Sequence, residues 1–191
     1  MSSDSAPRED PYDVVLLVEQ ALTPADAAQV RALHLELDDD PTIEVVYHVL
    51  LPMADAAAAV EASLGVIGGA DLIAPPMTPS PDEIDHLREE YREQADREVA
   101  DTCDALSAAG AHVGSRTIVT DPPVEALIRK VKEVDGREAI ILTRPHLVAE
   151  FFHVDWTSRA RRKLGVPVLH LLEHETLDEQ AAGGGEGITG V

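Results

Sequence analysis

The chain has 191 residues and a formal charge of −21, set by 36 Asp and Glu against 15 Lys and Arg. Its length fits one domain with a single substantial core, and its charge opposes binding to DNA, RNA or anionic lipid, all polyanions. No apolar run approaches the roughly 20 residues of a membrane span, and the lone Cys103 excludes an internal disulfide, which fits a reducing compartment.

In chain order, residues 1–11 form a polar, Pro-containing arm that is expected to be disordered. The arm has no apolar signal region, so a cytoplasmic protein is expected. The α/β domain is read over 12–174. "YDVVLLVEQ" is a continuous apolar run bounded by polar residues, the pattern of a strand buried on both faces. "TPADAAQVRALHLELDDD" reads as a helix with Thr23 as N-cap, Pro24 at its first position and Asp26 in its first turn. "TIEVVYHVLLP" is a second strand, rich in β-branched residues.

A long irregular stretch follows. Gly68, Gly69, Pro75, Pro76, Pro79 and Pro81 argue for a loop over 53–81, a candidate lid or partner-docking segment. The next helix has Ser80 as cap and Pro81 at its first position. Its stripe of Ile84, Leu87, Tyr91, Ala95, Val99, Cys103 and Leu106 steps by three or four residues, and Gly110 ends it. Cys103 lies on that stripe, so it reads as a small core residue rather than a nucleophile.

"AHVGSRTIVTD" is a third strand and "PPVEALIRKVKEVDG" a helix with Val124, Leu127, Ile128 and Val131 inward. "REAIILT" is a fourth strand. Asp155 caps a further helix, "WTSRARRKL", which Gly165 ends, and "VPVLHLLE" is a fifth strand. Residues 175–191 form a Gly-rich tail that cannot pack a core. Strand and helix alternate throughout, which predicts an α/β fold: an open five-stranded parallel sheet with helices on both faces.

Arginine outnumbers lysine, which occurs only at Lys130, Lys132 and Lys163. Two readings of the acidic surface stand side by side. One is an ordinary acidic protein. The other is a halophilic protein working in molar salt, where screening over about 3 Å makes dense acidic surface harmless.

From Tyr12 to Glu173 the chain resembles the universal stress protein family. The resemblance rests on the long acidic amphipathic helix, then "VGSRTIVTD", "PPVEALIRKVKE", "AIIL" and "GVPVLHL" in that order, with Asp121, Pro122, Val124 to Ile128 and Pro167 to Leu169 at the matching positions. It implies the adenine-nucleotide α-hydrolase-like fold with strand order 3-2-1-4-5. It also implies a homodimer through the fifth strand and a cytoplasmic, non-enzymatic stress-response or regulatory role.

In ATP-binding members of the family, an acidic residue after the first strand faces the base. A Gly-x-x-Gly…Gly-Ser/Thr loop after the fourth strand holds phosphate and ribose. Here the first position is Glu19, but Leu142 to Pro145 and Val154 to Trp156 stand where the glycines belong. Glycine lets backbone N–H groups converge on phosphate. Leu142 and Val154 add bulk, Pro145 removes a donor, and Asp155 repels anions at a helix start. The expectation is a protein acting through a protein partner, with no ATP held by the usual loop and no cofactor. The alternative is a small-molecule or nucleotide sensor using the altered loop 142–156, with Glu19, Arg144, His146, His153 and Asp155 as ligand-binding residues at the carboxyl ends of the strands.

Other clusters carry less. Arg144, His146, Glu150, His153 and Asp155 admit a catalytic or metal centre. The simpler reading has Phe151 and Phe152 anchoring the loop while the polar groups face water. His170 and His174 would share a strand face about 13 Å apart, too far for one metal. Asp38 to Asp40 reads as a solvated turn, and "RARRK" as cations favoured by a helix C-terminus. Chain order alone identifies no Ser-His-Asp set, and the sequence contains no phosphate-binding or dinucleotide fingerprint.

Overall fold

A computed structural model describes residues 10–40, 42–53, 80–143 and 163–172. Val14 to Val18 carry no polar side chain, and this run forms the middle of β1 (Tyr12–Val18) at the centre of the sheet. Such a strand is stable only when covered on both faces. Its neighbours are β2 (Val45–Pro52) on one side and β4 (Glu138–Thr143) on the other, both parallel to it. The edges are β3 (His112–Val119), beside β2, and β5 (Val168–Leu172), beside β4. The order is β3-β2-β1-β4-β5, all parallel, as the alternation of elements and the family resemblance imply.

Side-chain alternation sorts the core into two layers. On one face Leu16, Tyr47, Val49, Leu51 and Ile140 pack with Val30, Val99 and Leu106 of the helices α1 (Pro24–Ala32) and α2 (Pro81–Ala108). On the other, Val15, Leu50 and Ile141 pack with Leu127 and Val131 of α3 (Pro123–Glu133) and with Leu164. Both helices on the first face begin with proline at the first turn and a capping box, Thr23 with Asp26 and Ser80 with Glu83. The expected stripe of α2 does face the sheet, with Ala95, Val99 and Leu106 buried and Ile84, Leu87, Tyr91 and Cys103 half-buried. Thr102 shares this buried surface: its hydroxyl accepts from the Leu22 N–H at 3.2 Å and donates to the Glu98 carbonyl at 2.8 Å.

The first helix departs from expectation. It ends at Ala32, and Leu35–Asp39 is a separate 3₁₀ turn rather than a continuation to Asp40. The break falls at His34, whose backbone leaves the helical region (φ −117°, ψ 11°) while its ring enters the core. Asp40 then closes the turn, its carboxylate accepting from the Thr42 N–H and hydroxyl at 2.9 and 2.7 Å.

Most of the arm, loop 53–81 apart from its ends, loop 142–156 beyond Thr143, and the tail 175–191 lie outside the described residues. Of the helix expected after Asp155, only Lys163 and Leu164 are described. They are helical, and Gly165 follows at φ +71°, a left-handed conformation suited to a helix end.

Candidate functional site

The sheet changes direction between β1 and β4, since the chain builds outward through β2 and β3 on one side and through β5 on the other. Ligands of open α/β sheets bind at the carboxyl ends of the strands beside such a switch. Here Val18 and Leu142 form the last paired residues of β1 and β4, and both are buried. One residue further, half-buried Glu19 and Thr143 stand at the mouth. The Thr143 hydroxyl lies 2.8 Å from His170 Nε2 on β5, closing the floor on that side. Burial pushes the His170 pKa down, so the fold favours its neutral imidazole.

Of the ligand-binding residues expected from sequence, Glu19 is thus placed at the switch point. Arg144, His146, His153 and Asp155 lie outside the described residues, as do Glu150 and His174. Among the described residues no group of three or more His, Cys, Asp or Glu side chains gathers as a metal site would.

Two polar clusters near the amino ends of the strands escaped the sequence reading. Tyr12 and Asp13 are consecutive on β1, as are Tyr47 and His48 on β2, so each pair sends one side chain to each face. On the face of α1 and α2, His34 Nε2 lies 2.9 Å from Glu138 Oε1, and Tyr47 Oη lies 2.8 Å from His34 Nδ1. The Tyr12 hydroxyl donates to Glu138 Oε2 at 3.2 Å. An ionised carboxylate only accepts, so Nε2 carries the proton toward Glu138 and Nδ1 accepts from Tyr47. Every member of the chain has a partner. The hydrogen bond from His34 holds the Glu138 carboxyl below its ordinary range despite its burial.

On the opposite face, His48 Nε2 lies 2.7 Å from Asp13 Oδ1 and His48 Nδ1 lies 2.8 Å from Ser115 Oγ. Three neighbouring strands therefore supply an Asp, a His and a Ser in one hydrogen-bonded line. These residues are 35 and 67 positions apart in sequence, and only strand register unites them. The signal that was available is a Tyr-polar pair in each of two apolar strands; parallel pairing sets Asp13 opposite Val46, so His48 reaches it diagonally from two residues further along β2.

No protein-family model and no curated protein matches the chain. Solved structures do. The chain is similar in fold to hypothetical protein MJ0577, with a TM-score of 0.52 at 14% identity, over 86% of this chain and 99% of that one. A universal stress protein from Archaeoglobus fulgidus gives 0.48 at 16% identity, over 83% of this chain and 91% of that one. A universal stress protein family member from Burkholderia pseudomallei gives 0.46 at 23%, over 84% and 96%. At these identities the likeness is one of fold. The architecture is a five-stranded parallel α/β fold with strand order 3-2-1-4-5, similar to that of MJ0577. Among the described residues no helix is long and apolar enough to cross a membrane.

Proposed function

We propose that this chain is a universal-stress-type regulatory protein, cytoplasmic and homodimeric, that acts through contacts with another protein and does not hold ATP by a glycine loop. The observation that carries this reading is the absence of glycine from Ile140 to Ala160, directly after the strand that borders the switch point. Without glycine, the backbone there lacks the freedom to converge several N–H groups on a phosphate. The dimer is drawn along β5. That strand is an edge of the sheet, and Leu169 on it is 38% exposed, a large apolar side chain where a partner strand would cover it.

A second reading, a small-molecule sensor at the same end, is favoured by half-buried Glu19 at the switch point. Its further contacts would be Arg144, His146, His153 and Asp155. Arg144→Ala and His153→Ala separate the two, because they leave a purely protein-binding dimer unchanged and abolish ligand binding in a sensor. Neither reading assigns catalysis or a cofactor to the loop.

The deciding experiment is an ATP titration by calorimetry, on the full chain in high potassium chloride with magnesium. No saturable heat is expected. Heat saturating at one ATP per chain would overturn the proposal and make this a nucleotide-binding protein.

A further inference from the structure

We propose that Ser115 is an activated nucleophile for small acyl esters, with His48 as its general base and Asp13 as the group that orients His48. The site is separate from the switch point: it lies nearer the amino ends of β1, β2 and β3, on the α3 face. It stands or falls independently of the loop reading above.

The proton arrangement follows from what each group can do. The Asp13 carboxylate only accepts, so His48 Nε2–H donates to it at 2.7 Å. In the neutral imidazole the lone pair is then on Nδ1, 2.8 Å from Ser115 Oγ, and the serine O–H donates to it. A carboxylate orients a histidine, and the histidine withdraws a proton from a serine. These are the roles of a hydrolytic triad, which is recognised by geometry and not by sequence order. The ring is used with Nδ1 toward the serine, and the proton count is the same either way. The His48 and Asp13 side chains are only 11% and 14% exposed, so water competes little for these hydrogen bonds, whereas Ser115 is half-buried.

Two further observations point the same way. The first is a β-bulge in β3: Tyr47 pairs with Val113 but His48 pairs with Ser115, leaving Gly114 as the extra residue. A Cβ on Gly114 would stand 2.5 Å from Val46 Cγ1 and 3.0 Å from His48 Cε1, so only glycine lets the backbone approach this ring. The bulge thus turns Ser115 onto the same face as His48. The second is a cleft along that face. It begins at Leu50 and Thr117, each two residues beyond His48 and Ser115, which do not themselves line it, and runs past Ala126, Lys130 and Glu133 of α3 toward Asp121 just beyond the end of β3. Leu50 and Ala126 give an acyl chain an apolar bed. Among the described residues β3 is an edge strand, and its N–H groups that point away from β2 are the candidate donors to an oxyanion.

The reaction balances without any further reagent than water. Ser115 Oγ attacks the ester carbonyl carbon while its proton passes to His48 Nδ1. Collapse of the adduct breaks the bond to the alkoxy oxygen, which takes the proton from Nδ1 and leaves as an alcohol, with Ser115 acylated. Water then attacks the acyl carbon and gives its proton to Nδ1. Ser115 Oγ departs, recovers that proton, and a carboxylic acid is released.

The test uses the full chain and a fluorophosphonate probe, with the adduct located by peptide mass spectrometry and turnover read on p-nitrophenyl acetate. Thermal melts establish that each variant is folded. An adduct at Ser115 in the wild type, absent in Ser115→Ala, is expected. In His48→Gln the labelling rate should fall at least ~100-fold, the contribution of a positioned general base. Asp13→Asn should slow labelling while leaving the adduct on Ser115, an effect that a merely structural carboxylate would not produce. Should His48→Gln fail to fold, Asp13→Asn decides. A wild type unlabelled at Ser115, labelling only elsewhere, or a folded base or orienting variant labelled at the wild-type rate would overturn the proposal.

Discussion

Glu138 receives hydrogen bonds from two directions, His34 and Tyr12, and its side chain is only 20% exposed. The His34 bond is the larger influence on its lowered pKa, with burial opposing it. A carboxylate that binds its proton less tightly folded than unfolded adds stability above the ordinary glutamate range. That contribution is lost as pH falls through the lowered native value. Glu138→Gln removes the charge, so wild type should exceed the variant by about 1–3 kcal/mol at neutral pH, the usual cost of weakening a buried hydrogen-bonded charge. The difference should shrink in acid. Urea midpoints measured over a pH series would show this, and a gap that stays constant into strong acid would rule the mechanism out.

At the scale of elements, all five strands and three helices were legible, because each combined an apolar pattern with a recognisable boundary residue. Pro24, Pro81 and Pro123 sit in the first helical turns, and Gly110 takes φ +85° just after α2. The first helix was read eight residues too long, to Asp40, because Leu33, Leu35 and Leu37 continue an apolar pattern past its end. What ends it is tertiary: His34 is drawn to Glu138 and Tyr47, and no local propensity encodes that attraction. The β5 edge carries its own prediction. Leu169→Asp places a charge on the proposed dimer face and should shift sedimentation from dimer to monomer without lowering the melting temperature of the monomer. A variant that still sediments as a dimer would remove β5 from the interface.

For the whole molecule, the −21 charge means that like charges repel across the folded surface. Raising salt from about 0.1 M to about 1 M shortens the screening length from about 10 Å to about 3 Å. Thermal stability should therefore rise substantially over that range in potassium chloride, as in a halophilic protein. A melting temperature independent of salt would favour the ordinary acidic reading. Site chemistry was less legible than fold. Glu19 was named because the family resemblance sets an acidic residue after the first strand, and the structure places it beside the switch point, whereas Asp13, His48 and Ser115 sit inside three separate strands with no local motif to mark them. Only the pairing of three strands brings them together.

That pairing has another use. Because β1 is apolar on both faces from Val14 to Val18, sliding it by one residue against its neighbours would bury almost the same surface, and hydrophobicity alone could not tell the two alignments apart. Tyr12 and Asp13 break the degeneracy. A one-step slip would turn the Asp13 carboxylate toward Glu138, acid against acid, and leave His48 facing a phenol in place of its acceptor. The polar clusters thus act as a key at the foot of a greasy sheet, rejecting the misaligned strand that its oily middle would accept.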